Sequence, residues 1–74
     1  KLYPNPTNGI LNIENKEVLD LSYEVYNILG QLILSEKLNN KQVIDLSAHN
    51  AGIYMVKLYD FNQNVTQTFK VIKN

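Results

Sequence analysis

The chain of 74 residues contains no cysteine, so it has neither a disulfide framework nor a thiolate metal site. It also lacks arginine, and seven lysines balance seven acidic residues, which excludes the basic surface typical of a nucleic-acid binder. The longest uninterrupted apolar run is Ile53–Val56, far shorter than a membrane span, and no signal-peptide pattern is present. Hydrophobic residues nevertheless make up 45% of the sequence, so one small globular domain is predicted.

The charges are segregated along the sequence. Residues 1–36 hold two lysines and five acids, a net charge of −3, whereas residues 37–74 hold five lysines and two acids, a net charge of +3. After Asp60 the charged residues are Lys70 and Lys73. Either the charged residues happen to be distributed in this way over the faces of the strands, or the basic end of the sequence binds a partner.

Short runs rich in Val, Ile, Leu and Tyr alternate with polar residues, and turn residues recur about every ten positions. This spacing predicts an all-β sandwich or barrel. Asparagine, which favours turns over strand interiors, occurs eleven times. The predicted strands are Leu2-Tyr3, Ile10 to Glu14, Leu21 to the turn at Asn27, Leu32 to Glu36, Ile44 to Leu46, Gly52 to the loop at Asp60, and Val65 to Ile72. Loops are predicted at residues 15–20, 39–41 and 60–64.

Seven short antiparallel strands imply two packed sheets with a core between them. Alternation along the strands predicts the residues that share an inward face: Leu11, Ile13, Leu21, Tyr23, Val25, Ile44, Leu46, Tyr54, Val56, Leu58, Gln67, Phe69 and Val71. Residues 29–38 have mixed periodicity, so a helix is the competing interpretation for that segment.

No reactive group of side chains stands out in the sequence. Asp45, Ser47 and His49 would share one strand face at steps of roughly 6–7 Å, too far apart for a hydrolytic triad. No His or carboxylate pair has ligand spacing, and no Gly-rich phosphate loop is present. An enzyme is therefore not expected, and neither a metal nor a cofactor is predicted.

Five short motifs follow one another in an order that is typical of a known family. They are Tyr3–Gly9, Val25–Gln31, Ile44–Ser47, Ala51–Leu58 and Phe69–Lys73. In this order and at these distances, the chain resembles the type A C-terminal sorting domain of the type IX secretion system of Bacteroidota, over essentially its whole length. The resemblance implies a seven-stranded antiparallel Ig-like β-sandwich. It also implies that residues 1–74 are a single sorting domain, cut from a longer secreted cargo protein.

The resemblance further implies a function that depends on being bound. Such a domain directs its upstream cargo from the periplasm to the outer-membrane translocon and its shuttle barrel protein, and so to the cell surface or the medium. A surface sortase of the cysteine-protease type then removes it, and the cargo is released or joined to lipopolysaccharide. The domain is a ligand and a substrate in this process, it does not itself span the membrane, and it binds no nucleic acid.

The family's motif residues can be matched position by position. Its Pro-x-Pro-x-x-Gly element falls on Pro4, Asn5, Pro6 and Gly9, its glycine after the third strand on Gly30, its Gly-x-Tyr on Gly52 and Tyr54, and its terminal basic residues on Lys70 and Lys73. Several of these residues also have a structural role that competes with partner contact. Pro4 and Pro6 would protect a sheet edge from aggregation, Gly9 and Gly30 would supply turn geometry, and Tyr54 would fill the core. Exposed lysines add little stability, so partner recognition is favoured for Lys70 and Lys73. Val71, Ile72, Gly52 and Tyr54 are the further candidates for partner recognition.

Two positions depart from the family pattern. His49 occupies a place that is usually apolar, just before the Gly-x-Tyr strand, and Gln31 stands where arginine is frequent. The main competing function is a structural or carbohydrate-binding Ig-like module of a cell-surface adhesin. Under that hypothesis Tyr26 and Tyr59, the aromatic residues least committed to the core, are the candidates for a sugar site.

Overall fold

A computed structural model of the chain describes residues 2–14, 21–38, 43–60 and 65–74, which form two antiparallel sheets. The strands are β1 (Leu2–Tyr3), β2 (Ile10–Ile13), β3 (Leu21–Asn27), β4 (Leu32–Lys37), β5 (Val43–Asp45), β6 (Gly52–Asp60) and β7 (Val65–Lys73). The predicted seven-stranded antiparallel β-sandwich is confirmed. The segment for which a helix competed is a turn followed by β4. The loops predicted at 15–20 and 39–41 lie outside the described residues, and so does the loop predicted at 60–64 except for its first residue. The assignment of Asp60 to that loop is wrong, since Asp60 is buried and is the last residue of β6, paired with Val65.

One sheet has three strands in the order β1-β2-β5, and the other has four in the order β4-β3-β6-β7. The register places Leu11 opposite Ile44 in the first sheet and Val25 opposite Val56 in the second. β5 starts and ends one residue earlier than predicted. Just beyond its end, the N–H of Leu46 donates to the carbonyl of Gly9 (2.7 Å). The strand β7 is an edge of the larger sheet.

The core lies between the two sheets and consists of residues that alternate along the strands. Its buried members are Leu2, Leu11, Ile13, Tyr23, Val25, Leu38, Ile44, Leu46, Tyr54, Val56, Leu58 and Val71. Leu21 and Phe69 are half-buried against this cluster, whereas Gln67, on the same face of β7 as Phe69, is exposed. A strand pattern of period two therefore identified nearly the whole core, because each sheet buries one face and leaves the other in solvent.

Replacing Leu11 by alanine should lower the free energy of unfolding by about 2–5 kcal/mol, because its side chain is fully buried and its loss leaves a cavity. Leu29→Ala, the same chemical change at a side chain that is 80% exposed, should change it by no more than about 0.5 kcal/mol. Urea unfolding of both variants tests this difference. Equal midpoints for the two would contradict the placement of Leu11 in the core.

Candidate functional site

The edge strand β7 carries the basic end of the sequence, and half of its outer edge is covered. Alternate residues of a strand direct their backbone groups to the same side. The N–H and C=O of Ile72 both bond to the segment of residues 5–7, so the even-numbered residues of β7 direct theirs away from β6. Residues 5–7 occupy these groups over residues 70–74. We call this contact of residues 5–7 with residues 70–74 the terminal interlock.

Asn5 contributes its side-chain amide to the terminal interlock. Its Nδ2 donates to the carbonyl of Lys70 (2.8 Å), and its Oδ1 accepts from the N–H of Ile72 (3.0 Å). Pro4 and Pro6, on either side, have no N–H to donate, and both peptide bonds preceding these prolines are cis. One amide group therefore supplies the donor and the acceptor that a paired strand would otherwise supply.

Thr7 contributes its backbone, in a parallel bridge with Lys73. Its N–H donates to the carbonyl of Ile72 and its carbonyl accepts from the N–H of Asn74, both at 2.8 Å. The buried hydroxyl Oγ1 donates to the carbonyl of Ile10 (2.7 Å) and accepts from the N–H of Gly9 (3.0 Å). Thr7 thus joins the start of β2 in one sheet to the end of β7 in the other, with each of these polar groups satisfied.

Gly9 is the one motif glycine whose position depends on close packing. Its φ is +146°, and a Cβ at this position would lie 3.0 Å from the Cα of Ser47. A backbone atom cannot yield as a flexible side chain can, and an L-residue rarely adopts this φ. The Pro-x-Pro-x-x-Gly element therefore needs glycine here for the first sheet to close against residues 46 and 47.

The four predicted recognition residues of β7 divide between two faces of the sheet. Val71 is fully buried, and Lys73 is half-buried with its Nζ donating to the carbonyl of His49. Lys70 and Ile72 lie on the opposite, outer face, and both are exposed. The structure therefore leaves Lys70 and Ile72 accessible to a partner, while Val71 and Lys73 hold the strand in place.

The predicted pair Gly52 and Tyr54 lies at the start of β6. Gly52 is exposed opposite Lys73, whereas Tyr54 is buried and its hydroxyl donates to the carbonyl of Asn50 (2.5 Å). The ring of His49 meets that of Tyr54 edge-on, with 6.5 Å between centroids. His49, predicted to depart from a usually apolar position, therefore packs the connection before β6 through its ring.

Asp45, Ser47 and His49 do not converge on one site. The Oδ1 of Asp45 accepts from the backbone N–H of Ser47 (2.8 Å), while the ring of His49 packs on Tyr54. The hydrogen bonds from Ser47, and more weakly the charge of Lys73, lower the pKa of Asp45. Among the described residues no group of three metal-binding side chains is found. The same part of the chain holds no helix that could cross a membrane.

Tyr26 and Tyr59, the candidates for a sugar site, belong to one polar cluster on the outer face of the larger sheet. The Oε1 of Glu24 accepts from both hydroxyls, at 2.9 Å from Tyr26 and 2.5 Å from Tyr59. The Nζ of Lys57 lies 5.2 Å from the centroid of the Tyr26 ring. In the sequence, Glu24 and Tyr26 are two residues apart, and so are Lys57 and Tyr59. Each spacing places a pair on one strand face, but the pairing of β3 with β6, which brings the two pairs together, was not predicted.

Comparison with known proteins gives one family for the entire chain. Residues 1–74 match the family described as "Secretion system C-terminal sorting domain". The chain belongs to this family. The predicted resemblance to a type IX C-terminal sorting domain is thereby confirmed, and the terminal interlock is the form that the family's first and last motifs take in this sorting domain.

The sorting domain is also similar to part of a much longer protein, an endo-acting ulvan lyase from Formosa agariphila. The two are 25% identical over 75 residues, which is 99% of the sorting domain but 14% of the lyase. The sorting domain thus spans a small fraction of the length of this curated relative. The similarity concerns the tail of a cargo protein and agrees with attachment of the sorting domain to an upstream cargo domain.

Replacing Asn5 by alanine should lower the free energy of unfolding of the sorting domain by about 1–2 kcal/mol, because two hydrogen bonds to β7 are lost. Asn8→Ala is the matched control, since Asn8 is exposed and no hydrogen bond joins its side chain to a described residue. Urea unfolding measures both. A smaller loss for Asn5→Ala than for Asn8→Ala would show that the terminal interlock does not stabilise the fold.

The cluster around Glu24 should make stability depend on pH at both extremes. The hydrogen bond to Glu24 raises the pKa of Tyr59 from 10.0 to about 12, so this contribution is complete below pH 10 and is lost as the pH rises to about 12. The hydrogen bonds from Tyr59 and Tyr26 lower the pKa of Glu24, so its contribution is present above pH 4.5 and is lost as the pH falls below it. Tyr59→Phe should flatten both limbs of a plot of unfolding midpoint against pH. Profiles of identical shape for the variant and the parent would contradict this.

Proposed function

We propose that this sorting domain carries its cargo through the outer-membrane translocon of the type IX system with the help of a shuttle barrel protein. In this proposal the cargo passes through the periplasm, and a surface sortase removes the sorting domain after export. The match of the whole chain to the family carries the proposal, because the family's described role is sorting in a secretion system. The passage and the removal are steps beyond that description.

Recognition during export is proposed to centre on Lys70 and Ile72. Both side chains are exposed on the outer face of the sheet, and the backbone of each is fixed by Asn5, so a partner would meet them in a defined position. Pairing of a partner strand with the backbone of residues 70–74 would first require the terminal interlock to open. Side-chain recognition needs no such rearrangement, and a carboxylate of the partner is the natural complement of the Lys70 ammonium.

The other predicted recognition residues are proposed to act indirectly. Val71 and Tyr54 are buried, Lys73 is held by the carbonyl of His49, and Gly52 opens β6 opposite Lys73. Substituting one of the buried residues would weaken the presentation of β7 through loss of packing. We propose that the domain itself performs no catalysis and acts as a ligand and then as a substrate.

A structural or carbohydrate-binding module of an adhesin is the alternative function, and the outer face gives it less support. Sugar binding requires a free aromatic face and unsatisfied polar groups beside it. One face of the Tyr26 ring is covered by the ammonium of Lys57, and the hydroxyls of Tyr26 and Tyr59 both donate to Glu24. The hydroxyls of both tyrosines thus already have a hydrogen-bond partner within the domain.

Lys70→Gln should reduce export of a reporter fused to the sorting domain about tenfold or more, because a hydrogen bond to a charged group is worth about 1.5–3 kcal/mol. Lys37→Gln is the matched control, since Lys37 is an exposed lysine at the opposite end of the same sheet. Immunoblots of the medium and the cells measure export, and thermal unfolding shows that both variants fold. Equal export of the two variants would exclude Lys70 as a contact.

Removal of the domain is tested separately on the exported reporter. Intact-mass and C-terminal peptide analysis should find that residues 1–74 are absent from the exported product and present in the cell-associated precursor. An exported product that retains these residues would contradict removal by a sortase and favour the structural module.

A further inference from the structure

The turn between β3 and β4 exposes two large aliphatic side chains. Ile28 is 73% exposed and Leu29 is 80% exposed, more than any other large hydrophobic side chain in the described part of the chain. Turns favour small and polar residues, and these two side chains contribute nothing to the core. Their apolar character is therefore not explained by the folding of the domain, and it is the usual mark of a surface that binds another molecule.

The turn that carries Ile28 and Leu29 is closed by several hydrogen bonds. Asn27 organises it: its Oδ1 accepts from the N–H groups of Leu29 (3.0 Å) and Gln31 (2.9 Å), and its Nδ2 donates to the Oε1 of Gln31 (2.8 Å). Its backbone also exchanges hydrogen bonds with the carbonyl of Gln31 and the N–H of Gly30. Little conformational entropy remains to be lost at this turn when a partner binds, which favours binding.

A shallow groove of about 520 Å³ runs from this turn across the outer face of the larger sheet. Its lining is mainly apolar and includes Ile28, Gly30, Ile53, Met55 and Thr68, with Lys57 at its side. Ile53 and Met55 are each 36% exposed. A methionine in such a groove adapts its shape to different apolar side chains. We call the turn at Ile28 and Leu29, together with this groove, the apolar face.

The charge around the apolar face is positive, although the domain as a whole is neutral. Lys57 lines the groove, and the register places Lys70 opposite Met55 on the same outer side of the sheet. Within β3, β4, β6 and β7, Glu24 is the carboxylate of this side, and its Oε1 is already bonded to two tyrosine hydroxyls. A partner that covers the apolar face is therefore attracted if it carries carboxylates next to its apolar side chains.

We propose that the apolar face binds a polypeptide segment of the export machinery in which apolar side chains stand next to carboxylates. The inference rests on the proposed export function and names a second contact beside Lys70. A bilayer surface fits less well, because it cannot fill a concave groove. A second copy of the domain fits less well too, because two positive faces repel each other.

The double variant Ile28→Ser/Leu29→Ser, in the reporter fusion, tests the apolar face. We expect about a tenfold loss of export with unchanged thermal unfolding, since both side chains are exposed. The matched control is Ile10→Thr/Val43→Thr, two side chains that are 45% and 42% exposed on the other sheet, and we expect normal export.

A reporter that lacks residues 1–74 altogether separates this inference from the proposed function. Blocked export of that reporter with normal export of the double variant would overturn the inference and leave the proposed function standing. Normal export of the reporter without the domain would instead overturn the proposed function.

A direct binding measurement tests the chemistry of the partner. The probe is a fluorescent peptide in which Leu and Glu alternate, with a Leu–Lys peptide of equal length as control, and the fusion is titrated by fluorescence anisotropy. We expect the Leu–Glu peptide to bind at least tenfold more tightly, to lose binding to the double variant, and to weaken as salt is added. Equal binding of the two peptides would overturn the proposal. So would binding to phosphatidylglycerol vesicles, or self-association of the fusion, that the double variant abolishes.

Discussion

The contact between residues 5–7 and residues 70–74 is the constraint on which the rest of the fold depends. It links the three-stranded sheet to the edge of the four-stranded sheet, through the backbone of Thr7 and the side chain of Asn5. With β7 held there, Val71 stays in the core, and Lys70 and Ile72 stay on the surface. An edge strand left open is prone to pair with other chains. The same contact therefore limits aggregation and orients the basic end of the domain.

The two faces of the larger sheet have separate roles. The inner face closes a core of aliphatic and tyrosine side chains without help from disulfides, and no described buried side-chain nitrogen or oxygen lacks a hydrogen bond. The outer face holds the tyrosine–glutamate cluster, the basic residues and the apolar face. A core variant would thus change both stability and export, whereas a variant at an exposed outer-face residue outside the tyrosine–glutamate cluster would change export alone. That separation makes the domain suitable for mapping a recognition surface by point substitution.

Much of the fold could be predicted because the information is local. Period-two alternation and turn residues located the seven strands, and the same alternation placed Tyr54, Val56 and Val71 in the core. The sequence did not reveal that Asn5 pairs with β7, because its partners are 65 and 67 residues away and asparagine is common in turns. The contact of Lys73 with the carbonyl of His49 was missed for the same reason. Nothing in a local pattern fixes which strand becomes the neighbour of a distant segment.

The sequence separation within the terminal interlock has a consequence for biosynthesis. Ribosomes synthesise the chain from its N-terminus. Asn5 and Thr7 therefore cannot form their contacts with Ile72 and Asn74 until nearly the whole domain has been made. Contacts so far apart in sequence also form slowly. A polypeptide that stops before Ile72, through a nonsense codon or a protease, cannot form the terminal interlock. Cargo made from a message truncated before this point therefore carries a sorting domain whose last strand is not fixed.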